Sequence, residues 1–325
     1  MMKRILSVGA VLFFALTSMA QTKKTTLVAQ INGYKQDMIY FDCAQTPFIR
    51  AEFHMNPGEE HVYSFETDKV VHMLINGRTD ILLQPGDSLH VTMTYEGKPV
   101  TSMQFGGTPS AVQANQLLWD LELYKRSIRY KSQLLACAAL DIKPQNRVND
   151  SRTLLSKAYE MVGKAGSTLT SEAKNYILAD VESDVYSSFI EYPVMYAEVR
   201  RLPVEKQGIG EYWKLMDNYQ LRKDEASLRN PKYVSLLMNY CAYQNEKKAV
   251  EKGETYTRPN TLEDMYNEFA TFYKGDLRDA VLYNLLCNFI RNGKEIERAE
   301  PLWKEYKEKY NTNKEHAHIL DTLMQ

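Results

Sequence analysis

The chain has 325 residues, with 40 Lys+Arg against 41 Asp+Glu, 44% hydrophobic side chains, 15 Gly and 11 Pro. These proportions exclude a collagen, a low-complexity disordered chain and a disulfide-dense mini-domain. A formal net charge of −1 leaves no global field to draw the protein onto nucleic acid or anionic lipid, and the length suffices for about two domains with separate cores.

Residues 1–20 read as a secretory signal peptide. Lys3 and Arg4 form a basic start, Ile5 to Leu16 an apolar segment, and Ser18-Met19-Ala20 a small-x-small cleavage site. The apolar segment is shorter than the roughly 20 residues a spanning helix needs, and no Cys lies near the cleavage point to take a lipid anchor. The expectation is a soluble protein, periplasmic or secreted, of a Gram-negative cell envelope, with no membrane span after cleavage. Loss of Lys3 and Arg4 leaves 38 basic against 41 acidic residues, a net −3.

From Thr25 to about Phe105 the pattern is short and alternating. TTLVAQI, DMIYFDC, FIRAEFHM, HVYSFET, VVHMLING, DILLQ, SLHVTMTY and VTSMQF predict strands. Turn residues separate them at Asn32-Gly33, Asn56-Pro57-Gly58, Asn76-Gly77 and Gln84-Pro85-Gly86-Asp87. Pro85 and Gly86 suit a type II turn, which predicts a hairpin between ILLQ and SLHVTM. The spacing predicts an antiparallel β-sandwich of about eight strands over residues 21–108.

Gly106-Gly107-Thr108-Pro109-Ser110 ends this pattern, and residues 109–325 read as an all-α helical array. The fold class is thus α+β in two parts. Leu117, Leu121, Tyr124, Ile128 and Leu135 trace one face of a long first helix, and Ile177, Val181, Val185 and Phe189 a later one. Tyr212, Leu215, Met216 and Tyr219 mark another. Leu282, Leu285, Leu286, Phe289 and Ile290 form a nearly all-apolar, central helix ended by Asn292-Gly293, and Ile296 to Tyr310 give the next stripe. Lys247 to Pro259, charged and broken by Gly253, reads as a loop. No fixed repeat is present.

Two stretches carry a family resemblance: ILLQPGDSLHVTM with FGGTPSAVQANQLL, and DEASLRNPKYVSLLMNY with YKGDLRDAVLYNLLCNFI and AEPLWKEYKEKY. With the signal peptide, they resemble the front part of thiol:disulfide interchange proteins of the Bacteroidetes type (TlpA/ResA-like). The resemblance covers roughly residues 25–325. It implies an N-terminal β-sandwich of the DUF4369 kind with a "PGD" hairpin, a helical region, and then a thioredoxin domain with W-C-x-x-C. Here the sequence stops at Gln325 without that motif, so no redox site carries over.

The four cysteines, Cys43, Cys137, Cys241 and Cys287, are 94, 104 and 46 residues apart and form no C-x-x-C or metal spacing. Buried free thiols are expected, with Cys241 and Cys287 the candidates for bridging or thiol exchange. Asp180 and Asp184, one helical turn apart, are the candidate carboxylate pair; a like-charged i, i+4 pair costs a few tenths of a kcal/mol unless a cation or ligand answers it. A solvated flank or an ion pair with a neighbouring helix is the plainer expectation. His316 and His318 diverge on a helix and suit a solvated helix start. His54, His61, His72 and His90 read as surface residues. Ser88 and Thr322 sit in Asp-Ser/Thr-aliphatic triplets that resemble a periplasmic O-glycosylation acceptor. Nucleotide-binding motifs and a serine-nucleophile elbow are absent, and YKRSIRYK (Tyr124–Lys131) reads as a solvated helix face rather than a nucleic-acid contact.

No catalytic, cofactor or metal residues are therefore expected. The sequence predicts an exported binding or accessory protein whose partner is a protein, peptide or small ligand of the envelope, with a Tyr-rich cleft between helices or an open sandwich edge as the recognition surface. The alternative is a component of envelope thiol–disulfide exchange that uses its own cysteines or a thioredoxin-like partner.

Overall fold

The computed structural model describes residues 21–325; the expected signal peptide lies outside the described residues. Eight strands come first: β1 (Lys23–Asn32), β2 (Met38–Cys43), β3 (Arg50–His54), β4 (Glu60–Thr67), β5 (Val71–Ile75), β6 (Thr79–Leu83), β7 (Ser88–Tyr95) and β8 (Val100–Gly107). They form two four-stranded sheets, ordered β4-β1-β7-β8 and β3-β2-β5-β6. All neighbouring pairs are antiparallel except β1 and β7, which run parallel with Leu27 opposite Leu89. Leu27, Ala29, Ile31, Leu89, Val91 and Met93 of one sheet close on Ile39, Phe41, Met73, Ile75 and Ile81 of the other, so alternate residues of each strand fill one core.

The Pro85-Gly86 turn forms but does not make the expected hairpin. The Asp87 N–H donates to the Gln84 carbonyl at 3.0 Å, and Gly86 sits at φ +86°. Yet β6 pairs with β5, while β7 pairs with β1 and β8. The turn crosses from one sheet to the other, because a turn sets only the local reversal and the facing apolar sides of β6 and β7 both belong to the core. Asp87 pins the corner: its carboxylate accepts from the Gln84 N–H at 2.7 Å and the Thr108 hydroxyl at 3.0 Å. Gly107, at φ +120°, lets the chain pass against the Ser88 carbonyl, where a Cβ would clash.

Twelve α-helices follow among the described residues: α1 (Pro109–Ser127), α2 (Leu134–Ala139), α3 (Pro144–Lys164), α4 (Ser171–Ile190), α5 (Tyr192–Val199), α6 (Ile209–Trp213), α7 (Glu225–Leu228), α8 (Pro231–Lys252), α9 (Leu262–Phe272), α10 (Gly275–Arg291), α11 (Ala299–Glu305) and α12 (Lys314–Leu323). Their main core is one large apolar cluster that also takes in Val70 and Leu82 of the sandwich, with a small second cluster of Cys137, Ala138, Tyr192 and Tyr196 between α2 and α5. Buried over most of its length, α4 packs on α3, α5, α7 and α8. Helix α10, buried along much of its length, packs on α8, α9, α11 and α12 and ends at Arg291, with Asn292 as its cap and Gly293 at φ +71°.

Two helical boundaries differ from expectation. The first helix stops at Ser127, and Leu135 lies in α2, exposed; the positive φ of Arg129 breaks the run between them. Lys247–Lys252 is the last part of α8 rather than a loop, and Gly253 at φ +73° caps it. Lys, Glu and Ala are good helix formers, so charge alone does not mark a loop. None of the described helices is long and apolar enough to cross a membrane.

Candidate functional site

The outer face of the β3-β2-β5-β6 sheet meets the helices. In β5 and β6 the residues that point away from the sandwich core are His72 and Leu74, and Asp80 and Leu82. Helix α1 crosses this face, and the Asn115 side chain fastens it to β6: the Leu82 N–H donates to Asn115 Oδ1 at 2.9 Å, and Asn115 Nδ2 donates to the Leu82 carbonyl at 2.8 Å. One amide thus satisfies an edge strand as a neighbouring strand would. Helix α4 joins from the other side, where Glu172 accepts from the Val70 N–H at 2.9 Å.

Between sheet, α1, α4 and the start of α8 lies a cavity of about 600 Å³, within the range of small-molecule sites. Leu74, Leu82, Val100, Leu118, Leu121 and Ile177 supply apolar wall. The polar wall is a chain of charges. Asp80 only accepts when ionised, so His72 Nε2 donates to its Oδ1 at 2.8 Å, and His72 Nδ1 meets the Tyr176 hydroxyl at 3.0 Å. Lys232 donates to Asp180 at 3.0 Å. Lys125 and the Ser132 hydroxyl donate to Asp184 at 2.9 and 2.8 Å. A second cavity, of about 500 Å³, shares His72, Asp80, Asp180 and Lys232, so this cluster partitions two hollows.

The lysines decide the ionisation of these carboxylates. Burial pushes Asp180 and Asp184 upward, but Lys232 and Lys125 outweigh it and hold both below the usual carboxylate range. Burial likewise raises Asp80, and the hydrogen bond and charge of His72 overcome it, bringing Asp80 down to about 2. Lys232 is raised chiefly by Asp180. Lys125 is lowered by burial and raised further by Asp184, for a net rise. Carboxylates held ionised by lysines at bonding distance are poor general acids or bases near neutral pH, and this set suits fixed electrostatic recognition.

Of the sequence candidates, Asp180 and Asp184 do stand on the side of α4 that turns to this junction, each with its own lysine. Asp184 is buried, not a solvated flank. The other candidates lie elsewhere. Helices α8 and α10 pack together, but Cys241 and Cys287 are free and buried, as are Cys43 and Cys137. Burial raises all four thiols, Cys241 to about 12. Ser88, half-buried, opens β7; Thr322 is exposed on α12, its hydroxyl donating to the His318 carbonyl at 2.9 Å, and the adjacent Asp321 accepts from Trp303 Nε1.

The histidines divide. His54 and His90 are exposed, whereas His61 and His72 are buried, contrary to expectation. His316 is also buried rather than solvated: its Nδ1 lies 2.7 Å from Asp279, and its ring stacks on Tyr283 at 3.9 Å. Tyr186, Tyr219 and Tyr240, half-buried, and the buried Tyr243 stand in successive ring contacts among the helices. Among the described residues no group of three or more His, Cys, Asp or Glu is placed to hold a metal.

Sequence reasoning missed His72, Asp80, Lys125 and Lys232. One signal was present: VVHMLI and DILL are apolar on both faces apart from one His and one Asp, and a strand covered on both sides reads this way.

No family model, no curated protein and no solved structure matches the chain. Its class is set by the fold alone: a two-part α+β protein with a charged cavity where a β-sandwich meets a helical array.

Proposed function

We propose that this chain is an exported, non-catalytic binding or accessory protein of the cell envelope, resembling the part of thiol:disulfide interchange proteins that precedes their redox domain. The junction cavity is its recognition site. The observation that carries this is the cavity itself, with about 600 Å³ of space, apolar on one side and lined on the other by the His72–Asp80 and Lys232–Asp180 pairs. Charges held in place by their partners give orientation and selectivity to a bound molecule.

The thiols lend exchange no support. A nucleophilic cysteine needs an accessible, low-pKa thiolate, and burial raises each of these four. Export rests on the sequence of residues 1–20, and N-terminal sequencing of periplasmic material should begin at Gln21.

Binding is tested with 1-anilinonaphthalene-8-sulfonate, a dye that brightens in apolar cavities. The folded protein should take up the dye saturably, and Leu121→Trp, which fills the cavity wall, should remove most of the uptake. Equal uptake by both proteins overturns the assignment of the cavity. Catalysed insulin reduction by the native protein overturns the non-catalytic assignment.

A further inference from the structure

The charges at the cavity are unevenly answered. Two hairpin tips from different sheets meet at its mouth: Arg78 follows the Asn76-Gly77 turn between β5 and β6, and Lys98 lies in the turn between β7 and β8. Both are exposed, and among the described residues neither has a carboxylate within ion-pairing distance. Two unpaired cations at one opening favour an anionic group there. Farther along, Asp80 and Asp180 share the wall with Lys125 and Lys232, but the two carboxylates are not fully used. Among the described residues, Asp80 gives only Oδ1 to His72 and its Oδ2 takes no protein donor, and Asp180 Oδ1 meets only Asn230 Nδ2 at 3.5 Å. Both carboxylates thus keep acceptor sites for a cation. Apolar wall from Leu74, Leu118 and Leu121 lines the same space.

A molecule that answers all three features has an anion at one end, an ammonium at the other and apolar substituents between. Other occupants answer fewer. An acyl chain would lie against Asp80, Asp180 and Lys232 and leave them desolvated without partners. A sugar ring would seek an open aromatic face, but Trp119 is buried beneath Arg126, whose guanidinium lies 5.0 Å from the ring centre.

Resting on the binding function proposed above, we propose that the ligand of this cavity is a short apolar peptide with both termini free. Its carboxylate lies at Arg78 and Lys98, and its ammonium beside Asp80 and Asp180. The volume of about 600 Å³ accommodates a chain of only a few residues, so the protein recognises small peptides and not a segment within a folded partner.

The test is calorimetric titration of the mature protein with trileucine, its C-terminal amide, its N-acetyl form, and decanoate. Trileucine should bind, and capping either end should weaken it by about tenfold or more, the scale of a lost charge-assisted hydrogen bond. The double variant Arg78→Gln/Lys98→Gln should bind the free acid and the amide alike. Asp80→Asn should narrow the gap between the free amine and its N-acetyl form. These side chains are exposed and near turns, and unchanged thermal melting of the variants confirms folding. Decanoate binding as tightly as trileucine, or indifference to both caps, overturns the peptide proposal. If no peptide binds while the dye still enters the cavity, the peptide proposal falls and the binding function stands. If peptide and dye both fail, the binding function falls as well.

Discussion

Replacing Lys125 with methionine strips Asp184 of its cation while keeping most of the apolar stem. Asp184 and Lys125 are only 8% and 13% exposed as side chains, 2.9 Å apart, so water cannot take over the role of the ammonium. Removing one partner of a buried pair typically costs about 3–5 kcal/mol. The lower end, about 3 kcal/mol, is expected here, because the Ser132 hydroxyl still donates to Asp184 at 2.8 Å. For a chain of this size that is a fall in Tm of about 5 °C.

The pH dependence follows from the sign of the shift. In the native protein Asp184 is held below its ordinary range, so its stabilising contribution is present above the unfolded-state pKa and lost as pH falls through the depressed value. In Lys125→Met burial dominates and the folded-state pKa of Asp184 rises above the unfolded value. The deficit is then largest at neutral pH and shrinks as acid protonates the carboxyl. Urea unfolding followed by far-UV circular dichroism at pH 5 and pH 8 measures both points. Adding Asp184→Asn to Lys125→Met should recover most of the loss. A single-variant loss under about 1 kcal/mol, or an equal loss at both pH values, refutes this account; a double variant no better than the single one assigns the loss to the lysine stem.

Three further outcomes are expected. Native protein should show no rapidly reactive thiol with Ellman's reagent and four after unfolding, with modification limited by the opening of the fold; a fast native thiol would contradict the burial of these side chains. Asp279→Asn should destabilise by about 2–3 kcal/mol, because Asp279 accepts from the Tyr306 hydroxyl, His316 and the Asn313 N–H at 2.6–2.7 Å. Burial raises its pKa but these partners hold it below normal, so the gap between wild type and variant should narrow as pH falls through that depressed value. Gly107→Ala should lose about 2 kcal/mol or more at its φ of +120°, since the new methyl meets the Ser88 carbonyl. Gly163→Ala on the open face of α3 should instead gain up to about 1 kcal/mol; denaturant midpoints of equal sign would contradict the backbone argument.

The candidate site was only partly legible in advance. The one-turn spacing of Asp180 and Asp184 showed that both would share a side of a helix, because helical geometry is local. Their lysines could not be found that way. Lys125 is 59 residues from Asp184 and Lys232 is 52 from Asp180, and nothing in a one-dimensional pattern selects these two from 40 basic residues. His72 read as a surface strand residue for a similar reason: alternation tells which residues share a face of a strand, but not whether that face meets water or a helix.

The eight strands, the switch to helix after Gly107 and the stop of α10 at Asn292-Gly293 were all determined by the sequence itself, through side-chain periodicity and backbone stereochemistry acting over a few residues. Tertiary structure alone decided that the Pro85-Gly86 turn crosses between sheets, that β1 and β7 run parallel, and that Tyr176, His72 and Asp80 form one line across the junction. These depend on which apolar faces close on which. That choice is made by burial summed over the whole chain, so the cavity and its charges exist only once the two parts have packed.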